Sequence, residues 1–117
     1  MNFSSSLCTR TLAIALLLAA PWMAATASAQ DRASAQAKAE TVCAACHGKD
    51  GNTPIDPSYP RLAGQHRDYL ERALLDYKSG ARKNAIMAAQ VQGLSRAEIS
   101  GLAAYYAGLP GSLRTQR

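Results

Sequence analysis

The sequence Cys43-Ala44-Ala45-Cys46-His47 places two cysteines three positions apart and a histidine directly after the second. On a helical turn, both sulfur atoms project toward the same side of the chain. This is the spacing at which a haem becomes attached, each sulfur forming a thioether with one vinyl group while the imidazole reaches the iron. The motif therefore predicts one covalently bound haem c. Cys43, Cys46 and His47 are its expected cofactor-binding residues, and His47 is the first expected iron ligand.

Three other chemistries use a Cys-x-x-Cys pair: a structural zinc, a dithiol redox centre and a plain disulfide. Zinc requires four ligands, and after residue 29 the sulfur and imidazole donors are only Cys43, Cys46, His47 and His66. A dithiol redox centre would follow a β-strand, whereas the residues before Cys43 are rich in alanine and helical in character. A disulfide leaves the histidine unexplained, so haem attachment is the favoured interpretation.

The first 29 residues have the organisation of a secretory signal peptide. Arg10 is followed by an apolar run over 12–20 and a small-residue tract that ends at Ala29. Cleavage after Ala29 would leave the 88 residues 30–117 as one haem domain and would remove Cys8. The alternative, an uncleaved anchor, is disfavoured because the run is shorter than the roughly 20 residues that span a bilayer. We therefore predict a periplasmic protein without stable membrane insertion.

The charge of the chain is mildly basic and lacks the pattern of a nucleic-acid-binding surface, so no nucleic-acid partner is expected. Thirteen basic and eight acidic residues give a formal net charge of +5, and the basic residues form no run and are not interleaved with aromatic residues. A domain of this size buries only about 60 to 65% of the surface that its unfolded chain exposes, so it needs additional stabilisation, which a haem would provide.

The mature sequence predicts an all-α fold of three main helices with loops around the haem. The first helix covers 34–46, the second runs from about His66 to 79, and the last has Ser95 as N-cap with Glu98 as its capping-box partner and ends at Gly108. Three prolines make 53–65 an ordered loop, and 81–93 is a short, mixed segment. The apolar face of the second helix should pack on the haem. Its residues are Tyr69, Leu70, Ala73, Leu74 and Tyr77.

An electron-transfer haem also needs a sixth iron ligand. Met87 is the favoured candidate because it is the only methionine after residue 29, and it is expected in an irregular loop that can bring its thioether to the iron. The alternatives are that Met87 fills the core, or that His66 or a lysine is the ligand.

Over residues 35–110 the sequence resembles the class I cytochromes c. The resemblance is closest to one half of the two-haem bacterial periplasmic cytochromes and to their small single-haem relatives. It is carried by Cys43-Ala44-Ala45-Cys46-His47-Gly48, by Tyr59-Pro60-Arg61-Leu62-Ala63-Gly64-Gln65-His66, by Tyr77-Lys78-Ser79-Gly80 with Asn84 and Met87, and by Leu94-Ser95 with Leu102-Ala103-Ala104-Tyr105-Tyr106-Ala107-Gly108-Leu109-Pro110.

The resemblance implies further residue roles. The carbonyl of Pro60 should accept a hydrogen bond from Nδ1 of His47, which makes Pro60 part of the cofactor site. The first and last helices should cross closely, with Ala35 and Ala39 against Leu102 and Tyr105 or Tyr106. Because the sequence holds one Cys-x-x-Cys-His motif, electron transfer between two haems of this chain is not expected.

The expected function is electron transfer between redox proteins, a donor and an acceptor such as respiratory complexes or a dehydrogenase, rather than catalysis. A catalytic or gas-binding haem needs an open iron position, which Met87 would close. The alternative is a haem subunit bound permanently to a periplasmic dehydrogenase, which an exposed apolar patch beside the haem edge would favour. Basic residues near the haem either steer an acidic partner or only solubilise the surface. They are Lys49, Arg61, Lys78, Arg82 and Lys83.

Overall fold

The computed structural model describes residues 20–112, and their side chains from residue 29 onward. Residues 1–30 and 31–117 form two units; of the first we describe only that its backbone is helical from Ala20 onward. Most of the predicted signal peptide, residues 1–19, lies outside the described residues. The helices are α1 (Ala20–Lys38), a π-helical segment (Ala39–Cys43), α2 (Ala44–His47), α3 (Arg67–Ser79), α4 (Ala85–Val91) and α5 (Arg96–Gly108). Residues 20–112 contain no β-strand, which confirms the predicted all-α class.

The helical region before the motif is longer and less regular than predicted. It begins at Ala20 rather than at residue 34, and its last turns before the motif are π-helical. In that segment the backbone N–H of Ala44 donates to the carbonyl of Ala39, five residues earlier. The hydroxyl of Tyr106 donates to the same carbonyl at 3.3 Å, so a residue of α5 holds the π-helical turn next to Cys43.

The start of α5 agrees with the sequence prediction. The Ser95 side chain accepts a hydrogen bond from the backbone N–H of Glu98, and the Glu98 carboxylate accepts one from the backbone N–H of Ser95. The same carboxylate accepts a hydrogen bond from the Ser34 hydroxyl at 3.0 Å and lies 3.6 Å from the ammonium of Lys38. Glu98 thus both caps α5 and joins it to α1.

Helices α1 and α5 cross at small residues, as the resemblance implied. A Cβ atom added at Gly101 would lie 2.6 Å from the Cβ of Ala35, so the two backbones approach closely. Tyr106 is the aromatic residue that contacts Ala39, while Gly101 was not anticipated. The crossing is part of one buried core. Its members are Ala35, Ala39, Leu70, Val91, Leu94, Ile99, Leu102, Ala103 and Tyr106.

The prediction that Met87 lies in an irregular loop is wrong. Asn84 is the N-cap of α4, and its side-chain oxygen accepts a hydrogen bond from the backbone N–H of Met87 at 3.0 Å. This cap satisfies a backbone donor at the start of the helix and allows a helix of only seven residues to begin there. Met87 therefore occupies the first turn of α4.

The proline-rich loop is ordered, as predicted, by contacts within the loop and with α5. The carbonyl of Gly51 accepts hydrogen bonds from the N–H groups of Leu62 and Ala63, and the N–H of Gly64 donates to the carbonyl of Tyr106. Gly48, with φ of 81°, turns the chain out of α2 so closely that a Cβ there would lie 2.1 Å from the carbonyl oxygen of Thr53. Only glycine fits this position.

Candidate haem site

Helices and loops of the second unit enclose a cavity of about 920 Å³, at the upper end of the range for small-molecule and cofactor sites. All five residues of the predicted apolar face of α3 line it, and α5 contributes Leu102, Ala103 and Tyr106. The loop contributes Tyr59, Pro60 and Leu62. The wall is therefore mainly apolar, with polar groups at a few positions.

Both motif cysteines are free thiols that line this cavity. Burial raises the pKa of the Cys43 thiol above its ordinary value, and a hydrogen bond with the Tyr106 side chain only partly offsets this. Within residues 20–112, no three His, Cys, Asp or Glu side chains gather into a group that would hold a metal ion.

His47 is the buried polar side chain of the site, with 5% of its surface exposed. Its Nδ1 lies 2.8 Å from the carbonyl oxygen of Pro60, which is the hydrogen bond that the resemblance implied. Because a carbonyl only accepts, Nδ1 must carry the proton, and in the neutral ring Nε2 is then left with a free lone pair. Tyr59 packs edge-on against the ring at 6.1 Å between centroids, so the imidazole is fixed in orientation.

Met87 also lines the cavity and is half-buried. Asn84 lines it too and caps the helix that carries Met87. The structure thus brings all five predicted site residues to one cavity. His66, the alternative sixth ligand, is exposed at the N-cap of α3 and does not line it.

The opening of the cavity carries exposed apolar side chains. Val42, Tyr69 and Ile86 line the cavity and are 49%, 49% and 54% exposed. Arg82 lies beside them: its guanidinium stacks on the ring of Tyr77 at 5.0 Å and donates to the hydroxyl of Tyr69 at 3.4 Å. This hydrogen bond raises the pKa of Arg82 above its ordinary value. We refer to Val42, Tyr69 and Ile86 as the apolar rim.

The five basic residues singled out in the sequence differ in their surroundings. Arg61 donates to the hydroxyl of Ser112, and Arg82 is held on two tyrosines. Lys78 donates to the backbone carbonyls of Gln92 and Leu94. No local sequence pattern predicts the Lys78 contacts, because they depend on how the segment after α4 packs against α3.

These residues fit a haem c. Two free thiols at the required spacing, an imidazole whose Nδ1 is occupied and whose Nε2 is available, and a thioether meet at one apolar cavity. Among the described residues, no helix is both long and apolar enough to cross a membrane.

Comparison with known proteins agrees with this geometry. Residues 31–109 match a family profile described as "Cytochrome c". The sequence is 44% identical over 81 residues to cytochrome c-554(548) of Halomonas halodenitrificans, covering 67% of this chain and 95% of that protein. It is 43% identical over 103 residues to a thiosulfate dehydrogenase electron acceptor of Thiomonas intermedia, covering 88% of this chain and 45% of that protein.

The crystal structure of reduced recombinant cytochrome c4 from Pseudomonas stutzeri has the same fold, with a TM-score of 0.62 and 37% identity. The match covers 68% of this chain and 46% of that one. The chain spans about half the length, or slightly less, of the first curated relatives that it matches. With a family profile that covers most of its length, this chain belongs to the cytochrome c family of electron-transfer proteins.

Proposed function

We propose that this chain is a periplasmic electron carrier with one haem c, bound through thioethers to Cys43 and Cys46 and with His47 and Met87 as axial ligands. The observation that carries the proposal is the meeting of both thiols, His47 and Met87 at one apolar cavity. Export with cleavage after Ala29 would deliver the chain to the compartment in which haem is attached.

When bound, haem c supplies a one-electron couple between ferrous and ferric iron. The protein's part is to hold the ligands and to limit contact with water. The carbonyl of Pro60 keeps the proton of His47 on Nδ1, which orients the imidazole and makes Nε2 a stronger ligand. The apolar walls from α3 and α5 lower the polarity around the site, and a thioether ligand favours the reduced iron.

The test is expression of the 117-residue chain in a bacterium that carries a cytochrome c maturation system. We expect a red periplasmic product with one haem per chain and a polypeptide mass that begins at Gln30. The Cys43→Ala/Cys46→Ala double variant should retain no covalent haem. A colourless product overturns the haem proposal, whereas a red product that retains residues 1–29 overturns only the cleavage.

We also propose that the basic surface near the site steers an acidic redox partner. Lys83 is an exposed lysine in the segment between α3 and α4, so charge reversal there changes the field at low structural cost. Lys83→Glu should slow electron transfer to an acidic partner at low ionic strength and much less at high ionic strength, because salt screens exposed charges. A rate change independent of salt would refute steering.

A second candidate function is a haem subunit fixed to a dehydrogenase. One observation favours it: the similarity to a protein named as a thiosulfate dehydrogenase electron acceptor. The apolar rim does not distinguish the two candidates, because its residues line the cavity that would hold the haem. Purification of the protein from its native periplasm distinguishes the two candidates. A free carrier elutes at the size of the chain alone, whereas a subunit co-elutes with an oxidoreductase at a fixed ratio.

A further inference from the structure

We propose that Lys78 is a positioning residue for Met87: its ammonium group fastens the end of α4 to α3 and so holds the short helix that presents Met87 to the cavity. The proposal rests on the proposed His47 and Met87 ligation. It also gives Lys78 a structural role. The sequence alone groups Lys78 with the other basic residues that could steer a redox partner.

The contacts of Lys78 join two elements. Its Nζ donates to the carbonyl of Gln92 at 2.9 Å and to the carbonyl of Leu94. In the opposite direction, Nε2 of Gln92 donates to the backbone carbonyl of Lys78 at 3.4 Å. Lys78 is half-buried, and Leu94 belongs to the buried core. The lysine is therefore part of a reciprocal link between the last turn of α3 and the residues that follow α4.

Helix α4 needs such a link because it is short. It has seven residues, about two turns, and helices shorter than about 12 residues are marginal without tertiary contacts. Its first turn is held by the Asn84 cap, and the carbonyls at its end lack partners within the helix. The ammonium of Lys78 binds the carbonyls of Gln92, directly after the helix, and of Leu94, three residues beyond its end, and a cation near this end also interacts favourably with the helix dipole. Asn84 and Lys78 thus hold opposite ends of the helix that carries Met87.

The position of Lys78 also rules out a direct contact with the cofactor. It does not line the cavity, whereas Met87, Asn84 and Val91 do. Its effect on the site must therefore pass through the position of α4. Loss of its hydrogen bonds should raise the fraction of molecules in which α4 has moved and Met87 has left the iron.

The test compares the purified holoproteins of Lys78→Leu and Lys83→Leu. Both variants remove one positive charge, and leucine keeps part of the apolar stem without adding a group that can bind iron. Imidazole titrated into the ferric protein binds only when Met87 has withdrawn, so its apparent affinity follows the open fraction. Hydrogen bonds to a charged group are strong enough that we expect about tenfold tighter imidazole binding for Lys78→Leu, and no change for Lys83→Leu.

A second measurement does not depend on the iron. Amide hydrogen exchange in 85–91, including the Ala88 N–H that donates to the carbonyl of Asn84, should accelerate in Lys78→Leu and not in Lys83→Leu. Equal imidazole affinity and equal exchange in the two variants overturn the role of Lys78. The ligation itself is tested separately: if Met87→Ala keeps the methionine-to-iron charge-transfer band, the proposed ligand is wrong whatever Lys78 does.

Discussion

Replacement of Gly101 by alanine should destabilise the folded protein by about 1–2 kcal/mol. The added Cβ would lie 2.6 Å from the Cβ of Ala35, about 0.8 Å closer than ordinary van der Waals contact. Neither Cβ can rotate away, so α1 and α5 must separate. Overpacking of this kind typically costs about 1–3 kcal/mol, and the better helix propensity of alanine returns up to about 1 kcal/mol. For a domain of this size the midpoint of thermal unfolding should fall by about 5–15 °C.

Gly108 provides the matched control because it lies on the same helix with no atom within 4 Å of an added Cβ. Gly108→Ala should leave the thermal midpoint of the holoprotein unchanged or raise it slightly, as followed by far-ultraviolet circular dichroism. The double variant Ala35→Gly/Gly101→Ala removes one of the clashing atoms and should recover much of the lost stability. If Gly101→Ala unfolds at the same temperature as Gly108→Ala, the close crossing of the two helices is refuted.

Three further changes test the site and its supports. Met87→Ala should keep covalent haem but abolish the methionine-to-iron charge-transfer band of the ferric spectrum; an unchanged band contradicts the ligation. Asn84→Ala removes a cap worth about 1 kcal/mol and should tighten imidazole binding to the ferric protein about fivefold, while Asn84→Ser keeps an acceptor and should largely restore the wild-type affinity. The hydrogen bond from the backbone N–H of Ser95 lowers the pKa of Glu98 below its ordinary value of 4.5, so the stability that Glu98 contributes is complete above that pH and is lost as the pH falls through the lowered pKa. The thermal midpoint of Glu98→Gln should therefore decline less in acid than that of the wild type, and equal declines would assign the acid sensitivity to other groups.

The sequence predicted those parts of the fold that depend on local signals. The Ser95 and Glu98 capping box determines where α5 begins, and both residues lie within four positions of each other. The apolar face of α3 follows from helical spacing alone, and all its predicted residues line the cavity. Contacts between segments that are distant in the sequence were harder to predict. The approach of Gly101 to Ala35 depends on the crossing of two helices, and only the resemblance to a family indicated such a crossing.

The sequence predicted which residues form the site, but not the contacts that hold Met87 in place. The spacing of the motif and the resemblance identified Cys43, Cys46, His47 and Pro60, and the His47 to Pro60 hydrogen bond is present. The sequence predicts a loop at Met87 because the segment 81–93 is short and mixes polar with apolar residues. The sequence does contain a signal for this helix, because asparagine is a common N-cap residue and Asn84 lies three positions before Met87.

The two proposed axial residues are held by supports of different strength. His47 is buried, is hydrogen-bonded to the carbonyl of Pro60 and packs against Tyr59, and the loop that contains Pro60 is itself hydrogen-bonded to α5. Met87 lies on a seven-residue helix whose ends depend on one asparagine and one lysine. Local opening takes place where few contacts must break, so the methionine side of the site is the one that yields first. Variation at Asn84 and Lys78 would therefore adjust how firmly the sixth ligand is held without altering the residues that attach the haem.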